Sequence, residues 1–253
     1  MDLGLIGKRF IVTGGTRGIG RAIVEGLLAE GAVVAFCARD ADAVEATTTE
    51  LTAVGAQVLG TALDVADHSA LAAWVGAVAD RFAGLDGVVA NVSALAVGSS
   101  TENWRATFDV DLLGTVMLVD AALPHLTVSG AGSIVTIASV AGREIDFAAV
   151  PYGTVKAAMV HYTQSLANKH AAAGVRANSV SPGNIYFPGG SWEFIEQNHP
   201  DLFAAAMAQN PTGRMGTAQE VANAVVFLSS PAAGFITGTN LIVDGALTRG
   251  VQF

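Results

Sequence analysis

A glycine-rich stretch near the start of the chain decides the fold: Thr13-Gly14-Gly15-Thr16-Arg17-Gly18-Ile19-Gly20. The apolar run at 10–13 before it is typical of a short buried strand, and a helical pattern from Ile19 to Ala29 follows it. Glycines permit a tight turn and let backbone N–H groups approach a pyrophosphate, to which a helix N-terminus adds a favourable dipole. The stretch therefore predicts a dinucleotide-binding turn, with a ligand-free strand–helix turn as the alternative.

Strand and helix patterns alternate outward from this turn to the end of the chain. Further strands are predicted at 33–37, 58–63, 87–90, 133–138, 175–180 and 241–243. Helices are predicted at 41–51, from Asp67 or Ser69 to 81, at 104–126 with an end near Pro124, at 151–173, and after a capping box at 217–220. This alternation predicts an α/β fold with one Rossmann-type domain over 1–253, a doubly wound parallel sheet with helices on both faces.

One segment departs from the alternation. Residues 183–215 are rich in glycine, proline and aromatic side chains, and the segment is long for an ordinary connection. Long connections inside compact α/β domains usually cover a site. We therefore expect a substrate-covering loop region here.

Composition excludes several classes of function. The net charge is −9 and there is no run of Lys or Arg, which argues against a nucleic-acid partner. Cys37 is the sole cysteine, so a reducing compartment and a cytoplasmic protein are expected. The weakly charged stretch at 121–142 is interrupted by Pro124, His125 and glycines, so no membrane span is expected there. No metal site is predicted.

Two arginines bear on which dinucleotide is bound. A free ribose 2′-hydroxyl is usually held by an acid at the end of the second strand, whereas a 2′-phosphate calls for arginine. Here that strand ends in Ala38 and Arg39, and Arg17 lies in the glycine-rich turn. NADP(H) is therefore expected, with NAD possible. The alternative is two solvated surface arginines, one of them paired with Asp40.

A serine, a tyrosine and a lysine form a candidate catalytic group. Tyr152 and Lys156 are four residues apart on a predicted helix, so they share one face. An ammonium beside a phenol favours the phenolate, and such a tyrosine can exchange a proton with an alcohol or a developing alkoxide. Ser139 follows the fifth strand, at the sheet edge where open α/β folds bind ligands. Separately, each has an ordinary surface or turn role.

Over essentially its whole length the sequence resembles the classical short-chain dehydrogenases/reductases. The motifs that carry the resemblance fall in the family's order: 13–20 as TGxxxGIG, Asp64-Val65, Asn91 in the place of NNAG, Ser139, Tyr152-Gly153-Thr154-Val155-Lys156 as YxxxK, Pro182-Gly183, and Asp244-Gly245.

The resemblance implies roles for individual residues. It assigns the cofactor to Gly14, Thr16, Arg17, Gly18, Ile19, Gly20, Arg39, Asp64, Val65, Asn91, Tyr152, Lys156, Pro182, Gly183 and Ile185. It assigns catalysis to Ser139, Tyr152, Lys156 and the Asp111 position, with Lys156 also holding the nicotinamide ribose. It further implies a homo-oligomer, most simply a tetramer, that pairs through the helices at 104–126 and 151–173, helped by Leu112, Val116, Met117, Met159 and Val160.

Several positions depart from the family pattern. Asp111 stands where the family has Asn, Ser93 and Ala90 replace the last Gly and first Asn of NNAG, and Phe187 stands where Thr is common. In the family the residue at 111 marks a helix kink, and its backbone carbonyl holds a water that links to the lysine. Asp can serve in that role through its backbone; the alternative is that its side chain caps or pairs locally.

These observations lead to an oxidoreductase that transfers a hydride between NADP(H) and an alcohol or carbonyl carbon of a small molecule. An apolar substrate is expected if the aromatic and aliphatic residues near the sheet edge face inward: Leu95, Val97, Ile185, Tyr186, Phe187, Trp192, Phe194 and Phe203. Otherwise they pack on the core or on another subunit. Alternative functions are a cofactor-binding, non-catalytic relative that acts as a partner subunit or sensor, and, less favoured, a lyase or epimerase. The sequence does not specify the substrate or the direction of reaction.

Overall fold

The computed structural model describes residues 2–96, 98–145 and 150–251. Its strands are β1 Arg9–Thr13, β2 Val33–Ala38, β3 Val58–Ala62, β4 Gly87–Ala90, β5 Ser133–Ile137, β6 Arg176–Pro182, β7 Ile185–Tyr186, β8 Gly216–Thr217 and β9 Asn240–Val243. Seven of them form one parallel sheet in the order β3-β2-β1-β4-β5-β6-β9. The order reverses direction at β1, which confirms the Rossmann-type doubly wound sheet.

The helices cover both faces of this sheet. They are α1 Gly18–Ala29, α2 Ala41–Ala53, α3 His68–Phe82, α4 Thr101–Thr107, α5 Gly114–Ser129, α6 Val150–His170, α7 Ser191–Asn198, α8 Pro200–Gln209 and α9 Ala218–Ser229. Successive strand residues point to opposite faces of the sheet. Val12 therefore belongs to a first core with α1 and α9, whereas Ile11 belongs to a second core with α3, α5 and α6. The inner strands β1, β2, β4, β5 and β6 are mostly buried, as parallel strands usually are, whereas the outer strands β3 and β9 are partly exposed.

The long helix expected at 104–126 differs from the prediction in three ways. It begins at Thr101, a π-helical turn over Phe108–Leu113 separates α4 from α5, and α5 continues to Ser129. Pro124 therefore does not end the helix; Gly130 does, in a left-handed conformation with φ of 67°. The π-helical turn is the kink that the family resemblance implies at Asp111.

The region at 183–215 is also more regular than expected. It contains α7 and α8, and β7 pairs in parallel with β8 in a small second sheet. The sequence patterns that predict these two helices are weak. Gly190 and His199 provide no side-chain cap, and only Pro200 indicates the first turn of a helix.

One helical run among the described residues, Thr101–Ser129, is long and apolar enough to cross a membrane by length and composition. Its buried residues include Leu118, Val119 and Ala122, which pack with α3 and β4 in the second core. A helix that flanks a buried sheet passes the same test of length and apolarity.

Candidate active site

The glycine-rich turn is built by close packing that excludes side chains. Gly14 has a φ of 75° and Gly18 a φ of 55°, both in the left-handed region that favours glycine. A Cβ at Gly20 would collide with the Gly14 carbonyl oxygen. Asn91 braces the turn from β4, because its Nδ2 donates to Thr13 O at 3.0 Å and its backbone N donates to Thr13 Oγ1 at 3.0 Å.

The turn ends at a helix N-terminus that lacks a side-chain cap. Arg17 is the N-cap of α1 but makes no capping hydrogen bond, and the first turn of α1 contains no acid. By contrast, Asp40 caps α2, Asp67 caps α3 and Thr217 caps α9. The first N–H groups of α1 thus lack a side-chain acceptor, as at an anion-binding helix N-terminus, and the glycines beside them are packed so closely that a Cβ at Gly15, Gly18 or Gly20 would collide with neighbouring atoms. These residues fit a dinucleotide pyrophosphate.

The two arginines expected at the cofactor have different surroundings. Arg39 is exposed at the end of β2, and Asp40 caps α2 by accepting from Ala43 N at 3.1 Å. Within the described chain no ion pair joins Arg39 to Asp40, so the alternative of a surface pair is not observed. Arg17 instead donates from Nη1 to the Gly189 carbonyl at 2.8 Å, which connects the turn to the segment before α7.

The other expected cofactor residues lie along the same sheet edge. Asp64 follows β3 and accepts from Ala66 N at 3.0 Å, while Val65 is buried in the second core. Thr16 and Ile19 are half-buried beside the turn. Gly183 donates its N–H to Val243 O at 3.0 Å and leaves no room for a Cβ next to Asp244, so the Pro182-Gly183 and Asp244-Gly245 motifs meet.

The candidate catalytic group lies where β5 ends and α6 begins. Tyr152 and Lys156 share one face of α6, and Lys156 Nζ lies 5.5 Å from the centre of the Tyr152 ring. Ser139 follows β5 by two residues and caps a short 3-10 turn, with its Oγ accepting from Ala141 N at 3.1 Å. Gly153 brings α6 close to that turn, because a Cβ there would lie 2.6 Å from the Ala141 carbonyl. Within the described residues the Tyr152 hydroxyl makes no hydrogen bond, so it is available to a substrate oxygen.

Lys156 is one of the largest fully buried side chains of the described core. Its Nζ donates to Ile137 O at 3.0 Å and contacts Met159 Sδ at 3.7 Å. Its ionic partner is Asp111, with 3.3 Å between Nζ and Oδ2, and the two side chains are 2 % and 0 % exposed. A buried ammonium requires such compensation.

The Asp111 side chain makes the local pairing that the sequence left open as the alternative, while the backbone role stays a prediction. Its side chain pairs directly with Lys156, and its main-chain carbonyl accepts from Thr115 Oγ1 at 2.6 Å. Ser93 Oγ donates to Asp111 Oδ2 at 2.6 Å, and Ala94 N donates to Oδ1 at 2.7 Å. The π-helical turn makes this possible because it directs a residue of the α4–α5 run toward α6.

A family model described as "Enoyl-(Acyl carrier protein) reductase" matches residues 14–248. The chain belongs to the short-chain dehydrogenase/reductase family. Isoepoxydon dehydrogenase of Penicillium expansum is 39% identical over 100% of this chain and 99% of its own length. L-fucose dehydrogenase of Mus musculus is 38% identical over 96% of this chain and 89% of its own length. L-sorbose reductase of Gluconobacter frateurii, solved with NADPH and L-sorbose, is 29% identical, with a TM-score of 0.91 and coverage of 99% and 100%.

The short-chain dehydrogenase/reductase frame places the aromatic residues of 183–215 in several environments. Phe203 packs edge-to-face on Tyr186 and Trp192, with ring centres 6.2 Å and 6.4 Å away. Ile185 belongs to the first core, and Phe187 packs on Gly18 of the cofactor turn. Phe194 is exposed. The expected continuous apolar wall is therefore divided between core packing, the cofactor turn and an aromatic group.

The opposite wall of the site begins after β4. Leu95 is half exposed and has a φ of 47°, a conformation that L-residues other than glycine rarely adopt. Val97 lies outside the described residues. Sequence reasoning missed Ser93 as an interacting residue, although a signal existed: Ser93 and Asp111 both depart from the family motif, and the structure brings them together.

Among the described residues, no group of three or more His, Cys, Asp or Glu side chains could hold a metal ion. Cys37 is buried in β2, and burial raises the pKa of its thiol to about 12, so it is held as an unreactive thiol.

Proposed function

We propose that the protein is an NADP(H)-dependent alcohol dehydrogenase or carbonyl reductase with Tyr152 as its general acid and base. The observation that carries this proposal is that the Tyr152–Lys156–Ser139 group and an uncapped, glycine-lined helix N-terminus lie at the same end of one parallel sheet. The intact group also favours catalysis over a non-catalytic partner subunit or sensor.

In this proposal, different residues bind the cofactor, position the substrate and transfer the proton. The α1 N-terminus and its glycines hold the pyrophosphate, and when bound the nicotinamide supplies or accepts a hydride. Ser139 Oγ donates to the substrate oxygen, whose position it fixes. Tyr152 gives a proton to that oxygen in ketone reduction and takes one in alcohol oxidation. Lys156, buried beside the ring, stabilises the negative phenolate.

Replacement of Tyr152 tests this function directly. Purified protein is assayed with NADPH and NADH against ketones, and with the oxidised cofactors against alcohols. Tyr152→Phe should lower turnover about a hundredfold to ten-thousandfold while cofactor binding is largely kept. Tyr162→Phe, on the same helix and packed against the second core, is the matched control and should keep its turnover. Near-normal turnover of Tyr152→Phe would reject the mechanism.

We propose NADP(H) over NAD(H) because Arg39 is exposed and makes no ion pair within the described chain. A charge-assisted contact with a 2′-phosphate contributes about 1.5–3 kcal/mol, or roughly tenfold to a hundredfold in affinity. Arg39→Ala should lose that factor for NADPH and little for NADH, whereas the exposed Arg81→Ala should change neither. Equal or tighter NADH binding by the unmodified protein would reject the preference.

For the substrate we propose a small alcohol or ketone with an apolar face, covered by the region at 183–215. The aromatic group of Tyr186, Trp192 and Phe203 supports this proposal. Two of the three named relatives carry the names of sugars, L-fucose and L-sorbose, so the substrate panel contains sugars as well as apolar ketones. A clear preference for sugars over apolar ketones would overturn the proposal of an apolar substrate and leave the reaction type intact.

We further propose a cytoplasmic homotetramer that pairs through α4–α5 and α6. Leu112, Val116, Met117 and Val160 are half-buried on these helices and could be covered by another copy. Met159, also expected at this interface, is 0 % exposed beside Lys156 and belongs to the core of its own chain. Light scattering at micromolar concentration should give the tetramer mass, and a monomer mass would reject the assembly.

A further inference from the structure

Two departures from the family motif contact each other. The chain has Ser93 where the family has Gly and Asp111 where it has Asn, and Ser93 Oγ donates to Asp111 Oδ2 at 2.6 Å. Ser93 follows β4, whereas Asp111 lies in the π-helical turn 18 residues later. Their contact suggests that one replacement depends on the other.

The Asp111 carboxylate receives hydrogen bonds or ionic contacts on both oxygens. Ala94 N donates to Oδ1 at 2.7 Å, while Ser93 Oγ and Lys156 Nζ approach Oδ2 at 2.6 Å and 3.3 Å. An ionised carboxylate only accepts, so it matches three donors. The amide of asparagine has one accepting oxygen and a donating NH2. At this position its NH2 would lie against at least one of the three donors, with which it cannot form a hydrogen bond.

The Ser93 hydroxyl is oriented by a second contact. Leu95 N donates to Ser93 Oγ at 3.1 Å, so the hydroxyl accepts from the loop and donates to Asp111. Leu95 itself has a φ of 47°. Residues in such conformations persist where the surroundings hold them, and they cluster at functional sites.

The surroundings of the Lys156 ammonium leave little freedom. Its contacts are the Ile137 carbonyl from β5, the Met159 sulfur from α6, the Asp111 carboxylate from the π-helical turn, and the Tyr152 ring. Among the described residues, Asp111 and Tyr152 are the ionisable groups that contact it. The position of the Asp111 carboxylate therefore bears directly on where the ammonium lies relative to Tyr152.

We propose that Ser93 and Asp111 form a coupled positioning pair that holds the Lys156 ammonium in place beside Tyr152. The Ser93 hydroxyl fixes the carboxylate, and the carboxylate fixes the ammonium. The pair rests on the proposed function, in which Lys156 stabilises the Tyr152 phenolate, and it adds a serine from the loop after β4 to the residues on which proton transfer depends.

A double-mutant cycle tests the coupling. Asp111→Asn removes a charged partner and should lower kcat about tenfold to a hundredfold, and Ser93→Ala removes one hydrogen bond and should lower it about two- to tenfold. Because Ser93 acts through Asp111, the double variant should be no slower than Asp111→Asn alone. If the loss in kcat of the double variant equals the product of the two single losses, the two residues act independently and the proposed pair is overturned.

The pH profile of alcohol oxidation separates positioning from a merely structural role. Loss of a nearby negative charge favours the phenolate, so Asp111→Asn should reach its kcat plateau at lower pH. Ser93→Ala leaves the carboxylate less compensated and should shift the profile slightly upward. Ser93→Thr keeps the hydroxyl and should restore the original profile. Ser129→Ala is the matched control, since Ser129 Oγ donates at 3.0 Å to the buried Asp86 away from the site. An unchanged profile in Asp111→Asn would overturn the positioning role.

The same cycle in protein free of cofactor and substrate gives a readout that does not need turnover. Denaturant unfolding of the four proteins should show that the Ser93→Ala effect shrinks in the Asp111→Asn background. If no alcohol or ketone is converted while this coupling is present, the proposed function fails and the pair stands. If substrates are converted while the unfolding and kinetic effects are both additive, the function stands and the pair fails.

Discussion

Two buried aspartates lie at opposite ends of the strands of the same sheet and accept hydrogen bonds from nearly the same kinds of donor. Asp86 precedes β4 and accepts from Arg9 N at 3.0 Å, Arg9 Nε at 2.7 Å, Ser129 Oγ at 3.0 Å and Lys8 Nζ at 3.4 Å. Asp111 also accepts from a backbone N–H, a serine hydroxyl and a lysine. A backbone amide, a serine and a cation thus surround each carboxylate.

The two aspartates differ in the exposure of their cationic partners and in what those cations contact. Arg9 and Lys8 are 27 % and 35 % exposed and connect β1 to the loop before β4, at the edge opposite the glycine-rich turn. Lys156 is 2 % exposed, and its ammonium lies next to the Tyr152 ring at the edge where open α/β sheets bind ligands. Similar chemistry therefore connects two elements of the fold at one end of the strands and, at the other end, surrounds the lysine for which we propose a role in proton transfer.

The largest effect is expected when the buried ammonium is removed. Lys156→Met keeps most of the side-chain volume but leaves Asp111 charged and unpaired, which should cost about 3–5 kcal/mol in the free energy of unfolding. Turnover should also fall by at least about a hundredfold, because the phenolate loses its cation.

Denaturant unfolding at neutral pH measures the first effect. Lys156→Met/Asp111→Asn should recover part of the lost stability, since the uncompensated carboxylate is gone, yet it should remain inactive. A double variant as unstable as Lys156→Met would show that packing, and not charge, dominates at this edge.

At the opposite edge we expect a smaller, acid-sensitive contribution from Asp86. Burial opposes ionisation, but hydrogen bonds from Arg9 and Ser129 outweigh it and lower the pKa of Asp86 from 3.8 to about 2. Because the folded pKa lies below the unfolded one, the stabilisation is present above about pH 4 and is lost as the pH falls toward 2.

Asp86→Asn should therefore be less stable than the unmodified protein by about 2 kcal/mol at neutral pH, and the gap should close in acid. Unfolding curves of both proteins, measured from about pH 7 to about pH 2.5, give this difference in stability across the pH range in which Asp86 titrates. The kcat per folded molecule should not change, because Asp86 lies at the far edge. A gap independent of pH would contradict the titration of Asp86, and a large loss of kcat would break the contrast with Asp111.

Most of the fold could be predicted from the sequence because its signals are local. Glycines at 14, 18 and 20 can be recognised beside a strand, and short apolar runs mark most strands of the parallel sheet. The errors lie where local signals are outweighed by neighbouring structure. Pro124 suggested a helix end, but α5 continues past it. Leu126 packs in the second core, and the helix ends only at Ser129, before Gly130.

The site could be predicted only as far as individual roles. The spacing of Tyr152 and Lys156 places them on one face, but their distance from Asp111 depends on a π-helical turn that no local pattern marks. Arg17 shows the same limit. Its phosphate contact stays a prediction, but its hydrogen bond to the Gly189 carbonyl joins residues 172 positions apart in sequence and no local pattern indicates it.

The smallest effect is expected for Lys8, the counterpart of Lys156. The two lysines contact their aspartates at nearly equal distances, 3.4 Å for Lys8–Asp86 and 3.3 Å for Lys156–Asp111. Lys8 is 35 % exposed, so water and salt screen its charge, and Asp86 keeps Arg9 and Ser129 when the ammonium is lost. Lys8→Ala should therefore cost at most about 1 kcal/mol, and less at high salt. Unfolding in low and high salt checks both statements. A cost comparable to that of Lys156→Met would show that distance, and not burial, decides the strength of these pairs, and the contrast between the two edges would fail.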